Sequence, residues 1–86
     1  MHIQHESMRY DFDTVTARKD GTLTVVLEQS FASRAIGKTT FELTAEQVMA
    51  AFALPADPDL PRVTVVYDGV YRALIAAGMI GGEFVP

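Results

Sequence analysis

Residues 32 to 39, Ala-Ser-Arg-Ala-Ile-Gly-Lys-Thr, carry the most specific chemical pattern in the chain. They fit the phosphate-binding Walker A motif with alanine in place of its first glycine. In that motif backbone amides cradle phosphate, the lysine contacts the β- and γ-phosphates, and the threonine binds magnesium. It works only where the residues after Gly-Lys-Thr open a helix whose amino end faces the phosphate. Here Thr40-Phe41-Glu42-Leu43 reads as a strand, and a helix starts only at Thr44. Gly37, Lys38 and Thr39 therefore read as part of a strand-to-strand connection spanning residues 31 to 38 and the start of a strand at Thr39. Nucleotide binding through a degenerate P-loop is the remotest of the functions weighed.

The other reactive residues give weaker patterns. His2 and His5 have an H-x-x-H spacing with only Glu6 near enough to help, in a polar segment expected to fray, so no metal site is assigned. Ser7, Ser30 and Ser33 have no histidine base in ordered sequence, and a Ser-His-acid triad is rejected. Asp11, Asp13 and Glu28 are a potential carboxylate set, but acid–base work needs a cleft that raises one pKa. On an open strand face they read as solvated charges or as a surface for basic groups. The chain has no cysteine, which removes disulfides, thiolate zinc sites and cysteine nucleophiles together. No cofactor and no catalytic residue are assigned, and the protein is read as a non-enzyme.

The elements that position these residues follow from periodicity. Met8, Tyr10 and Phe12 alternate with Arg9, Asp11 and Asp13, and Leu23, Val25 and Leu27 alternate with Thr22, Thr24 and Glu28. Period two places each set on one side of a strand. Asp20-Gly21 between the runs favours a type I′ turn, giving a leading β-hairpin. The apolar phase slips at Thr14-Val15, which predicts a β-bulge. A third strand runs from Thr39 to Leu43. Thr44 and Gln47 make a T-x-x-Q capping box for a helix that ends at Pro55, with Leu43 stapled on Val48. Residues 55 to 61 form an ordered connector, stiffened by three prolines, in which Asp59 reads as a helix cap.

Residues 62 to 68 fit either a fourth strand or the start of a long helix. The helix accounts for more. Val63, Val66, Tyr67, Val70, Leu74 and Ala77 share one stripe, Thr64, Asp68 and Arg72 the other, and Gly78 is a suitable stop. The fold class is α+β: an antiparallel sheet of three or four strands with two helices packed on one face, in a single domain of residues 1 to 86 whose first six residues fray.

At 86 residues, domains of this kind bury about 60% of their unfolded surface and have little room for an enclosed cleft. The net charge of −4 argues against direct nucleic-acid binding. No apolar run approaches the ~20 residues that span a bilayer, and the amino end lacks a secretion signal, so the expected location is the cytoplasm.

The passage from Phe41 through Thr44, Glu46 and Gln47 into a capped helix, after a hairpin and third strand and before a final helix, resembles the small phage-encoded anti-CRISPR inhibitors. The likeness runs over residues 10 to 78; the alanine-rich, glycine-interrupted end departs from it, and no binding residue is carried over. The resemblance implies a non-enzymatic mechanism, in which a rigid sheet face occupies the binding surface of a larger nucleic-acid-binding assembly.

The expected function is thus a protein-binding module, of the kind a phage or mobile element uses to block a host defence complex. Its expected contact residues are Arg9, Asp11, Asp13, Thr24 and Glu28 on the open sheet face, with Arg34 and Tyr71 as further hot-spot types. The alternative is a homo-oligomeric structural or assembly subunit using the last helix and the Gly-Gly-Glu-Phe-Val-Pro tail. The protein is expected to be a monomer or a homodimer.

Overall fold

The computed structural model describes residues 1 to 86. Strands β1 (His2–His5), β2 (Met8–Ala17), β3 (Leu23–Phe31) and β4 (Arg34–Leu43) follow one another as hairpins. Helices α1 (Ala45–Phe52) and α2 (Arg62–Ala76) come next, and a short β5 (Glu83–Val85) ends the chain. The sheet has five strands in the order β4-β3-β2-β1-β5, and every neighbouring pair is antiparallel. Both helices lie on one face. Ile3, Val25, Leu27 and Leu43 from the sheet meet Ala51, Val70, Ala73 and Leu74 from the helices in one core.

The α+β architecture is as expected, with a larger sheet. The first residues do not fray. His2–His5 is a strand held between β2 and β5, and Ile3 is fully buried opposite Tyr10 on one side and Phe84 on the other. One inward-facing isoleucine suffices to anchor a four-residue strand flanked on both sides.

The predicted bulge is present. Phe12 pairs with Leu27 and Thr14 with Val26, leaving Asp13 as the extra residue. The Asp20-Gly21 turn differs from the expected type. The Gly21 amide donates to the Arg18 carbonyl, the Arg18 amide donates to the Thr22 carbonyl, and Gly21 has φ +88°. This is a three-residue loop, a type I turn followed by a left-handed glycine. Asp20 Oδ1 accepts from both the amide and the hydroxyl of Thr22, which holds the loop and keeps that carboxyl below its usual range.

The connection expected over residues 31 to 38 is instead a tight turn at Ala32-Ser33, followed at once by β4. Ala32 and Ser33 both have positive φ, 48° and 67°, as the two central positions of a type I′ turn require. A second register shift between Gln29 and Ser30 follows, with Gln29 opposite Gly37 and Ser30 opposite Ala35.

The capping box forms as predicted. The Gln47 amide donates to Thr44 Oγ1 at 3.2 Å, and the Thr44 amide donates to Gln47 Oε1 at 2.9 Å. The ambiguous segment 62 to 68 is helical, within α2. Asp59 does not cap it. Pro61 stands at the amino end without a side-chain bond, and Asp57 holds the connector by accepting from the Asp59 amide. At the other end Gly78 (φ +69°) donates to the Ile75 carbonyl and Met79 to the Leu74 carbonyl, a Schellman stop.

The stripe on α2 is rotated from its expected position. Thr64 is buried, while Val63 and Val66 are 59% and 50% exposed. The cause is that α2 has two neighbours, the sheet and α1. Arg72, expected on the solvent side, bonds Asp68 at 3.1 Å and donates to the Ala51 carbonyl at 2.9 Å. It supplies a cation to the carboxyl end of α1, whose last turn has no basic residue of its own. Gly69 lies where the helices meet, and a Cβ there would overlap the Phe52 ring.

Candidate functional site

The sheet face away from the helices is uncovered. Period-two alternation sets Arg9, Asp11, Thr24 and Glu28 on it, and the bulge turns Asp13 toward Lys38. Pairing arranges these residues in rows across the strands. His2, Asp11, Glu28 and Lys38 form one row through successive partners, and Thr16, Thr24 and Glu42 form another.

Three ion pairs pre-order the charges. Arg9 grips Asp11 with two bonds, Nε to Oδ2 at 2.9 Å and a terminal nitrogen to Oδ1 at 3.0 Å. Lys38 Nζ lies 2.9 Å from Asp13 Oδ2, and Arg18 lies 3.0 Å from Glu42 Oε1. All are largely solvent-exposed, so each adds little to folding. Glu28 lies opposite Asp11 and Lys38 in the ladder but closes no ion pair. Its carboxylate is exposed and open to another molecule. The Thr24 hydroxyl oxygen is shielded and makes no hydrogen bond within the chain.

Five of the seven residues read from the sequence are thus brought together. The other two are not. Arg34 sits beside the Ala32-Ser33 turn opposite Phe31, in phase with the inward-facing residues and away from Arg9 and Asp11. Tyr71 lies between α2 and β5. Its hydroxyl donates to the Gly82 carbonyl at 2.8 Å, and its ring is 5.7 Å from that of Phe84. It fastens the last strand to the helix layer.

The remaining motifs do not assemble a reaction centre. Lys38 and Thr39 stand within β4, and no helix follows them before Ala45, so the Walker-like segment has neither loop nor helix amino end to hold phosphate. His2 and His5 are three positions apart on one strand and face opposite sides of the sheet. The tail is not free, since Glu83–Val85 pairs with β1.

A second surface escaped the sequence reading. Val15, Ala17 and Leu23 of the leading hairpin, with Val48 and Phe52 of α1 and Val63, Val66, Tyr67 and Val70 of α2, line a wholly apolar groove of about 560 Å³. Its signal was present as valines at 63 and 66, but helical periodicity alone assigned both to the interior.

Acid should weaken the domain at the β1–β2 pair in two stages. Burial and then the charge of Arg9 hold the His2 imidazole below its ordinary 6.5. The unfolded chain therefore takes up that proton first, and stability falls as pH drops below about 6.5. The hydrogen bond from Arg9 holds Asp11 below its ordinary 3.8, so its contribution is present above that value and is lost as pH falls through the native pKa. Urea unfolding followed from about pH 7.5 to pH 3 should show both stages. His2→Gln should flatten the first and leave the second; an unchanged profile would remove the assignment to His2.

The chain matches no protein-family model, no curated protein sequence and no solved structure. The fold defines its class only as a two-layer α+β domain, a four-stranded antiparallel meander extended by β5 beside β1 and backed by two helices.

Proposed function

We propose that the protein is a non-enzymatic binding module that meets a protein partner with the open face of its sheet. The observation behind this reading is the convergence of Arg9, Asp11, Asp13 and Glu28 on one uncovered plane, with Arg9 already paired to Asp11 and Asp13 to Lys38. Pre-ordered charges favour partner choice and rapid encounter more than raw affinity. The blocking action implied by the likeness to anti-CRISPR inhibitors is consistent with such a plane, which excludes a competitor by covering a surface.

The test is a pull-down from the native host with the wild type and with an Arg9→Glu, Glu28→Lys variant. Partner capture should fall roughly tenfold or more, since a like-charge juxtaposition costs several kcal/mol. The melting temperature should stay within a few degrees, because the changed side chains are exposed. Full retention of the partner would end this reading.

The exposed valines of α2 favour a second one, homo-oligomerisation through the apolar groove. Val66→Asp would then abolish self-association while leaving partner capture by the sheet face intact.

A further inference from the structure

The two edges of the sheet are unequal. β5 is three residues long, and short edge strands protect themselves from unwanted pairing. β4 is ten residues long, contains no proline, and is bonded on one side only. Arg34 through Lys38, Thr40 and Glu42 are all exposed along it. A bare strand of this length is a template for another strand.

We propose that this edge pairs antiparallel with β4 of a second copy, about a two-fold axis through Thr40, giving one continuous ten-stranded sheet in the dimer. The charges select the occupant and the register. A two-fold axis perpendicular to the sheet sets each face against the same face, so only residues of like phase can stand opposite. With the axis at Thr40, Lys38 stands opposite the partner's Glu42, Glu42 opposite the partner's Lys38, and Thr40 opposite its own copy. On the helix side Thr39 stands opposite the partner's Phe41. Moving the axis to Lys38 or Glu42 places like charges opposite each other. Moving it to Thr39 or Phe41 leaves both charges facing neutral residues.

The existing ion pairs reinforce this register. Lys38 already holds Asp13, and Glu42 already holds Arg18. In the dimer they join into an alternating row: Asp13, Lys38, the partner's Glu42, the partner's Arg18. The arrangement is isologous, as closed dimers require. It also explains how one edge can be guarded and used at once. A lysine at an edge repels most incoming strands, but here the same chain carries the carboxylate that accepts it.

The test is sedimentation equilibrium over a concentration series, with variants made in the full chain. The wild type should dimerise. Lys38→Glu alone and Glu42→Lys alone should each weaken the dimer roughly tenfold or more, because both symmetry-related pairs become repulsive. Mixing the two single variants should restore a dimer, since the mixed pair again sets a carboxylate against an ammonium at both positions. That rescue also shows that both variants are folded. Val66→Asp should leave the dimer unchanged. A wild type that stays monomeric up to about 1 mM, single variants that dimerise as well as the wild type, or a mixture that gains nothing would each overturn the proposal. Loss of the dimer in Val66→Asp but not in Lys38→Glu would assign self-association to the groove and overturn it equally.

Discussion

Ile3→Ala is expected to destabilise the domain by about 2–5 kcal/mol, the cost of emptying a fully packed aliphatic site. Ile3 is fully buried and lies in the shared core with Leu27 and Leu74. A chain of 86 residues has a total stability of about 4–13 kcal/mol, so this single change leaves the protein marginal. In a urea titration the midpoint should fall by roughly 40% at the middle of both ranges, with the slope unchanged. Removing residues 1 to 6 should do more, because β2 and β5 then lose the strand between them. A melting temperature that stays put in both variants would mean that the amino-terminal segment is not part of the core.

The second large effect is expected at Gly82. Its φ is +112°, a region that side-chain-bearing residues avoid. A Cβ there would stand 2.5 Å from the Gln4 carbonyl oxygen and 2.9 Å from His5 Cβ. Neither can yield cheaply, since the first is backbone in the adjacent strand. Backbone strain alone costs about 1–3 kcal/mol, and the clash adds to it. Gly82→Ala should therefore lower stability by roughly 3 kcal/mol and release β5 from β1. Amide exchange at Glu83 and Val85, which stand opposite Gln4 and His2 of β1, should speed up first, and the Tyr71 hydroxyl should lose its acceptor. Gly81→Ala is the matched control. Its Cβ would lie 3.6 Å from the His5 ring, an ordinary contact, and the residue has no positive φ. Equal effects at both positions would show that the close approach at Gly82 is not what holds the strand.

Local rules made much of this fold readable. The hairpin, the bulge near residue 13, the capping box at Thr44 and the glycine stop after the last helix each rest on neighbours within a few positions. What could not be read depends on distant partners. Ile3 sits among polar residues, and its burial requires β5 to return from the far end of the chain. The Ala32-Ser33 turn lacks the glycine or asparagine that would announce it, and Gly37, which does look like a loop residue, sits in a strand beside a register shift. The exposure of Val63 and the burial of Thr64 follow from the packing of α2 against both the sheet and α1. The same division holds for the site. Arg9, Asp11, Thr24 and Glu28 share a face because strand period and pairing dictate it. The places of Tyr71 and Arg34 were set by helix docking and by an unmarked turn.

The sheet order bears on how this chain is made. β2, β3 and β4 are joined by short turns, and such hairpins close within about 1–10 μs once they emerge. β1 gains its second neighbour only when the segment through Val85 has been synthesised, and synthesis proceeds at about 5–20 residues per second. On the ribosome, then, the nascent protein waits seconds with one side of its first strand bare and Ile3 half-covered. A chaperone that recognises unpaired strands would find its client there, and only until β5 docks on β1.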